Sequence, residues 1–503
     1  MFRKILIANR GEIAVRIIRT CREMNIQTVG IFSTADRTAP HVRCSDEAYW
    51  IGEAPSLESY LCIDRIIETA LKSKSDAIHP GYGFLSENPD FADKCETAGI
   101  TFIGPKGSAM RAMGSKTSAR KTMIEAGVPV VPGTEDGLQN DEEAIEIATS
   151  IGYPILIKAA LGGGGKGMRI VESQADLSRG LRTARSEAQA AFGDDTVYIE
   201  KYLVEPRHIE FQVLADHHRN IVHLGERECS VQRRHQKLIE ESPSCVLKEG
   251  LRHDMGEAAI KVVKAVDYTN AGTVEFIVDQ DHNFYFLEMN TRLQVEHPVT
   301  EMRTGQDLVR RQIEIAAGLP LPFKQEDIQM NGSALECRIS AEDPDDQFLP
   351  SIGLVTRLTE PSGPGVRIDS GFCIGYDIPL YYDPLIAKLI VWAENRQEAI
   401  ARMKRALSEY DVGGIKTTIP FHLRALSDSR FTSGNYSTAF VDNMPPANET
   451  QKDDRHIIAA FAAIVKHREG KKPVSIEQSD SRNEEHGSPW KLVGRRDALR
   501  RER

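Results

Sequence analysis

The sequence predicts a multidomain α/β and α+β chain in three successive regions. A parallel sheet with helices on both faces comes first, then a mixed region broken by a glycine cluster, then a strand-rich region. Three observations carry this. The 503 residues allow about three domains at roughly 100–200 residues each. Over the first 114 residues, apolar strand-like runs alternate with helical periodicity, the signature of a parallel sheet. Beyond that point paired strands mix with helices, and after residue 330 short strands and Gly/Pro turns dominate.

In the first region, Lys4-Ile5-Leu6-Ile7-Ala8 reads as a buried strand, Asn9 to Glu12 as a turn, and Ile13 to Met24 as a helix. Further strands are expected at Thr28–Phe32 and Ala77–His79, and the unit ends near Gly114. From residue 115 a helix over 118–126 leads into Pro129 and Pro132. Strands follow at 154–158 and 168–172, then a helix over 175–192 and strands at 196–200, 208–215 and 220–225. A strand pair at 273–279 and 284–290 closes this region. The third region ends with an amphipathic helix over about 396–409. The last 59 residues differ: a short helix at 453–467 with Ile457, Phe461 and Ile464 on one face, a polar stretch at 470–487 expected to be mobile, and a basic end. No internal repeat is visible.

Composition is that of an ordinary soluble protein, 41% hydrophobic and 27% charged. A net charge of −10 argues against a nucleic-acid binder, which needs a basic footprint. It leaves room for polyanions such as ATP in a local Lys/Arg pocket. None of the eight cysteines forms a CxxC pair, so a zinc ribbon is not expected, and scattered thiols suit a reducing, cytoplasmic setting. The N-terminal apolar run is only four residues, too short for a signal core or a membrane span.

The run Gly162-Gly163-Gly164-Gly165-Lys166-Gly167 lies between two expected strands, not before a helix, which disfavours a dinucleotide fold. It is not a P-loop, because Ala160 and Gly167 occupy the required Gly and Ser/Thr positions. A glycine hairpin over phosphates fits better. Backbone N–H groups can approach phosphate oxygens, and Lys166 adds charge. A plain surface turn would carry the chain-entropy cost of so many glycines to no purpose.

The segment Glu288-Met289-Asn290-Thr291-Arg292-Leu293-Gln294-Val295-Glu296 places polar residues at 288, 290, 292, 294 and 296. In an extended chain all five project from one face, with Leu287, Met289, Leu293 and Val295 on the other. Glu, Asn, Arg, Gln and Glu in a row suit a metal and an oxyanion. If Asp279 pairs with Phe284 across the intervening turn, Glu275 lies opposite Glu288. Two facing carboxylates repel unless a cation lies between them, and hard oxygen ligands beside phosphates suit Mg²⁺. The alternative is a pair of surface glutamates on an edge strand, against which their apolar and aromatic flanks argue. Zinc is disfavoured, since no His or Cys lies at ligand spacing.

Together with His79-Pro80-Gly81-Tyr82-Gly83-Phe84-Leu85-Ser86-Glu87-Asn88 and Gln232-Arg233-Arg234-His235-Gln236-Lys237, these segments resemble biotin carboxylases of the ATP-grasp superfamily. The resemblance spans about residues 1–445. It implies a pre-ATP-grasp N-terminal domain (1–114), an ATP-grasp domain (115–330) with a glycine-rich lid (about 132–203), a strand-rich biotin carboxylase C-terminal domain (331–444), and a tail (445–503). It implies an ATP- and Mg²⁺-dependent ligase, with Mn²⁺ as a substitute metal, that makes carboxyphosphate from bicarbonate and carboxylates biotin.

By the same resemblance, Glu296 is the base, Lys237 stabilises the transferring phosphoryl group, and Arg292, Gln294, the Val295 backbone and Lys237 hold bicarbonate. Glu275 and Glu288, helped by Asn290, hold the metal. Lys116, Lys158, Gly164, Gly165, Glu200, Lys201, Leu203, His208, Gln232 and His235, with Glu275 and Glu288, contact ATP. His208 and His235 also admit a purely structural reading. Arg338 binds the biotin ureido oxygen and Tyr82 lines the biotin pocket. The family often has Asp before the first nucleotide lysine; here it is Ser115. The first helix, where Arg19 and Glu23 lie at i,i+4, falls at a homodimer contact in the family.

No Met-Lys-Met tripeptide occurs, and there is no room for a carboxyltransferase. Biotin is therefore expected on a separate biotin carboxyl carrier protein. The further expected partner is the carboxyltransferase subunit, with neither nucleic acid nor membrane. The tail resembles that of longer family members from pyruvate carboxylases and acyl-CoA carboxylase α chains. Two other readings stand beside this one: another ATP-grasp carboxylate–amine ligase, and a nucleotide-sensing regulatory protein without turnover.

Overall fold

The computed structural model describes residues 1–134, 137–138, 140–160, 168–445, 459–464 and 466. Strands β1 (Lys4–Ile7), β2 (Gln27–Ser33), β3 (Glu47–Gly52), β4 (Ala77–His79) and β5 (Thr101–Phe102) form a parallel sheet in the order β3-β2-β1-β4-β5. β1 is central because Ile5, Leu6 and Ile7 are apolar in succession and buried on both faces. β3 escapes sequence reading because it is an edge strand with alternate residues exposed. Helix α1 (Gly11–Glu23) buries Ile13, Ile17, Ile18 and Cys21.

Three antiparallel strands follow in the order β7-β6-β8: β6 (Ile155–Ala159), β7 (Met168–Val171) and β8 (Val197–Lys201). Helices Asp141–Ile151 and Gln174–Phe192 cover them, with Ile155, Ile157, Leu177, Leu181, Val197 and Ile199 as the shared core. Residues 161–167, including Gly164 and Gly165, lie outside the described residues.

The third sheet contains β9 (Arg207–Ala215), β10 (Ile221–Arg233), β11 (Gln236–Ser242), β12 (Asn270–Val278), β13 (Phe284–Asn290) and β14 (Ser333–Ser340). Its order is β13-β12-β9-β10-β11-β14, continued by the strands Leu385–Ala393 and Val366–Ser370. β10 runs well past the expected 225, and β11 was not expected at all. Both carry buried polar residues, such as Glu226, Arg227, Glu228, Gln232 and Glu240, that break the apolar pattern of a strand. The sheet also runs across the division expected at residue 330. β11 offers a free edge to β14, pairing Ile239 with Cys337. Val231, Leu238 and Ile239 then share one core with Leu335, Leu389 and Met403.

The C-terminal strands are also tied to the first sheet. A Cβ on Gly371 would stand 2.4 Å from the Glu12 backbone nitrogen, so only glycine allows this approach to α1. Arg10 grips the buried Asp36 with two bonds, of 2.6 and 2.8 Å. Tyr60 and Tyr376 donate hydroxyl bonds of 2.6 and 2.7 Å to the same carboxylate. Arg19 stands 3.8 Å from Asp369 in place of the i,i+4 pairing with Glu23.

Residues 1–444 form one compact unit. In the second unit, 459–464 are helical, within the helix expected at 453–467, but Phe461 and Ile464 are 66% and 53% exposed. Ile457, the 470–487 stretch and the basic end lie outside the described residues. All eight cysteines are unpaired. Among the described residues no helix is long and apolar enough to cross a membrane.

Burial opposes ionisation of Asp36, but Arg10 and the Tyr60 hydroxyl outweigh it and bring its pKa down to about 2. A depressed carboxylate stabilises the fold fully above its unfolded value of about 3.9 and loses that contribution as pH falls through about 2. Asp36→Ala, which strands Arg10, is expected to cost about 3–5 kcal/mol in chemical denaturation at pH 7. The gap between variant and parent should narrow as the pH drops below 4.

Candidate active site

A cavity of about 1020 Å³ opens between the three-stranded lid sheet, the large sheet and the loop after β4. β6 and β8 carry Lys158, Glu200 and Lys201 to its upper wall, and Leu203 follows β8. Lys158 donates to Glu200 at 2.5 Å, and Arg120 lies 3.3 Å from the same carboxylate. Lys201 is turned back onto the Gly152 and Tyr153 carbonyls, at 2.9 and 3.3 Å. From the large sheet come His208, Gln232, Lys237, Glu275, Glu288 and Arg338. The β10–β11 hairpin closes through Arg234 and His235, at φ +49° and +65°. Left-handed non-glycine residues cost about 1–3 kcal/mol each, a strain that collects at ligand sites. Here it puts His235 on the cavity wall.

Lys237 is the hub. Its ammonium touches Glu210 and donates to Glu275 at 3.0 Å, Gln294 at 3.1 Å and Glu296 at 2.6 Å. Burial would lower its pKa, but three carboxylates raise it well above the ordinary lysine value. Burial would raise Glu275; Lys237 and His208, whose Nε2 is 2.8 Å away, pull it well below the usual range instead. Burial also opposes the charge on Glu296. Lys237, and Arg338 at 2.9 Å, override it and hold this carboxyl far below its ordinary value. Arg338 is itself fixed by Glu240 at 2.6 Å, whose own carboxyl is pushed by burial up to about 7. Beneath the hub, fully buried Arg227 donates to Glu210 (2.6 Å), Gln212 (2.7 Å), Thr300 (3.0 Å) and Thr273 (3.1 Å).

Glu275 does pair with Glu288, but not by the expected register. Val278, not Asp279, pairs with Phe284, and a bulge at Leu287 restores the match. The extended row stops early as well. β13 ends at Asn290, residues 291–296 form a loop, and Pro298 in the first turn starts helix His297–Thr304. The loop still brings the predicted groups together. Asn290 and Gln294 each donate to Glu275 at 2.8 Å, and Arg292 donates to Asn290 at 3.0 Å. Arg292 also reaches Glu87 at 2.9 Å, and Glu87 accepts the Thr291 backbone N–H at 2.9 Å.

The facing carboxylates of Glu275 and Glu288, both on the cavity wall, fit a hard divalent cation. Asn290 adjoins them, its amide nitrogen on Glu275 and its oxygen toward Arg292. His208, Glu210 and Glu275 also bring ligand-type atoms within 4.8 Å of one another, which spacing did not anticipate because β9 and β12 pair only in the fold. Glu210 there is already held by Lys237 and Arg227.

Of the predicted residues, Tyr82, Lys158, Glu200, Lys201, Leu203, His208, Gln232, His235, Lys237, Glu275, Glu288, Asn290, Arg292, Gln294, Val295, Glu296 and Arg338 all line this one cavity. Lys116 opens helix Lys116–Glu125, its side chain outside the described set, as are Gly164 and Gly165. Glu210, Arg227, Glu240 and Glu87 carry the site but were not singled out. The alternation His208-Ile209-Glu210-Phe211-Gln212 offered a signal, a polar stripe at period two inside an apolar strand.

A lid sheet over facing carboxylates, with a buried Lys/Arg/Glu cluster for an oxyanion, defines a nucleotide-dependent ligase site of the ATP-grasp class. Residues 1–110 match the biotin carboxylase N-terminal domain. Residues 115–324 match the ATP-binding domain of the carbamoyl-phosphate synthase L chain, and 336–443 the biotin carboxylase C-terminal domain. The chain is 55% identical to biotin carboxylase 1 of Bacillus subtilis over 443 residues, 88% of this chain and 98% of that one. It is 50% identical to the α subunit of mitochondrial methylcrotonoyl-CoA carboxylase of Rattus norvegicus over 471 residues, covering 93% and 66%. The biotin carboxylase domain dimer of Hydrogenobacter thermophilus 2-oxoglutarate carboxylase, solved with MgADP, ADP and bicarbonate, superposes with a TM-score of 0.83 at 51% identity, covering 88% and 97%. The chain belongs to the biotin carboxylase family.

Arg227→Met should cost about 3–5 kcal/mol in denaturant unfolding, because Glu210 would remain buried without its guanidinium. Arg227→Met/Glu210→Leu should recover much of that loss, which a double-mutant cycle measures.

Proposed function

We propose that this chain catalyses the ATP- and Mg²⁺-dependent carboxylation of biotin by bicarbonate, the first half-reaction of a biotin-dependent carboxylase. One observation carries the assignment. Glu296 sits between Lys237 and Arg338 on the wall of the cavity, which Arg292 and Gln294 also line. In this reading Arg292, Gln294, Lys237 and the Val295 N–H hold bicarbonate, the Arg292 fork meeting two of its oxygens. Glu296 takes the bicarbonate proton, and the freed oxygen attacks the γ-phosphorus in line. Lys237 stabilises the charge on the phosphoryl oxygens as ADP leaves. Glu275 and Glu288, with Asn290, would hold Mg²⁺, which supplies charge neutralisation on the nucleotide phosphates. Carboxyphosphate then yields CO₂ and phosphate; the released phosphate takes the N1′ proton as biotin N1′ attacks the CO₂, while Arg338 holds the ureido oxygen beside Tyr82.

Lys237 and Arg338 hold the Glu296 carboxyl far below its ordinary value against the effect of burial, so it meets bicarbonate as a carboxylate.

Lys158, Glu200, Lys201, Leu203, His208, Gln232 and His235, all on the cavity wall, are proposed as nucleotide contacts with Lys116, Gly164 and Gly165. The proposed domains are 1–114, 115–330 and 331–444, followed by the tail 445–503. The proposed partners are a separate biotin carboxyl carrier protein and a carboxyltransferase subunit, in line with relatives named as components of larger carboxylases. A homodimer agrees with the dimer solved for the Hydrogenobacter relative. Cytoplasmic placement agrees with eight free thiols.

The test is ADP release as a function of bicarbonate, Mg²⁺ and free biotin, read together with carboxybiotin formation. Glu296→Ala should lower carboxybiotin formation by about 10²–10⁴-fold while ADP affinity stays near that of the parent. Undiminished carboxylation would refute Glu296 as the base. ADP release that ignored biotin and followed an added amine would point to a carboxylate–amine ligase.

A further inference from the structure

Lys388 is the lone charge in the apolar strand Leu385–Ala393, and it is 0% exposed. Its ammonium donates to the Val295 carbonyl oxygen at 2.7 Å. Glu12 of α1 lies 3.3 Å away and Asp369 of the neighbouring strand 3.9 Å. The Tyr82 ring centroid is 5.9 Å away, within cation–π range. A buried ammonium is expensive, and every other residue of its strand is apolar. Its partners show what its presence fixes.

The Val295 carbonyl belongs to the same peptide plane as the Glu296 N–H. Holding that oxygen fixes ψ of Val295 and hence the origin of the Glu296 side chain. This end of the 291–296 loop has no strand pairing, since β13 stops at Asn290. The other end is held by Glu87, through the Thr291 N–H and the Arg292 guanidinium. Without Lys388, Glu296 and the Val295 N–H could swing relative to Arg292 and Gln294, and a misplacement near 1 Å at a reacting group can cost about 10²-fold in rate. The counter-charges are secondary. Burial brings the Glu12 carboxyl up to about 7 despite Lys388, while Arg367 and Lys388 hold Asp369 well below the usual carboxylate range.

We propose that Lys388 is a positioning residue for bicarbonate activation: by locking the Val295–Glu296 peptide it sets the base and the anion-binding loop in register with Arg292. This rests on the bicarbonate-dependent function proposed above.

The experiment uses the full chain and three variants: Glu12→Gln, Glu12→Gln/Lys388→Met and Glu12→Gln/Lys388→Gln. Bicarbonate-dependent ADP release gives kcat and KM for bicarbonate and for ATP separately, and thermal melting with ADP titration reports the fold. Glu12→Gln keeps the Val295 bond and should hold the bicarbonate KM within about threefold of the parent. Lys388→Met in that background should raise the bicarbonate KM roughly tenfold or more and lower kcat, with the ATP KM and ADP affinity near parental values. Should the methionine variant fail to fold, Lys388→Gln carries the same comparison, with the bicarbonate KM raised and ADP affinity kept. A folded Lys388 variant with the parental bicarbonate KM would overturn the inference. So would an equal loss in Glu12→Gln, which would assign the effect to charge balance. A parent chain showing no bicarbonate-dependent ADP release would sink the functional reading itself, an outcome distinct from either.

Discussion

One buried ammonium holds three carboxylates together. Lys237 sits among Glu210, Glu275 and Glu296, all nearly or fully buried. Isolated ions in such a place carry a desolvation penalty of several kcal/mol each, so every one must find an opposite charge or a hydrogen bond. The neighbours follow from that demand. Arg227 takes Glu210 from below, His208 takes Glu275 from the side, and Arg338 takes Glu296 from β14. These side chains come from β9, β10, β11, β12, β14 and the loop after β13, which is why the strands of the site must belong to one continuous sheet.

The same demand explains the internal organisation of the molecule. β11 and β14 pair across the boundary of two domain matches, and Glu240 on one holds Arg338 on the other. The loop after β4 contributes Glu87 to one end of the 291–296 loop, and the C-terminal strands contribute Lys388 to the other. Asp36, Tyr376 and Gly371 then hold those two outer parts against each other. A site assembled from three regions needs those contacts to be stiff, since a loop without strand pairing takes its precision from whatever grips its ends.

Much of this was legible in the sequence. The apolar succession of β1, the glycine run between two strands and the polar alternation after Phe286 led to the right class of site, and residue-by-residue resemblance supplied the roles. What stayed hidden has physical causes. The alternation of 288 to 296 looks like a strand throughout, because a loop that turns its polar groups inward leaves the same pattern. Pro298, a residue that favours the first turn of a helix, was the available sign that the strand had to end. Glu275 did meet Glu288, though only because a bulge at Leu287 cancelled a one-residue error in the assumed turn. β11 was missed because its residues Glu240 and Glu241 look solvated when they are in fact buried against Arg338 and Arg396. Lys388 shows the reverse case, a single charge inside an apolar run whose meaning appears only with its partners.

In the proposed mechanism the buried cluster makes bicarbonate attack the γ-phosphorus, and the fate of bicarbonate oxygen reads this directly. The measurement is mass spectrometry of inorganic phosphate released from ATP in the presence of Mg²⁺, biotin and ¹⁸O-labelled bicarbonate. Attack by a bicarbonate oxygen, followed by C–O cleavage of carboxyphosphate, leaves one labelled oxygen in each phosphate. Unlabelled phosphate from a reaction that still forms ADP would mean that water or another nucleophile meets the γ-phosphorus, and would contradict the role assigned to Glu296, Arg292 and Lys237.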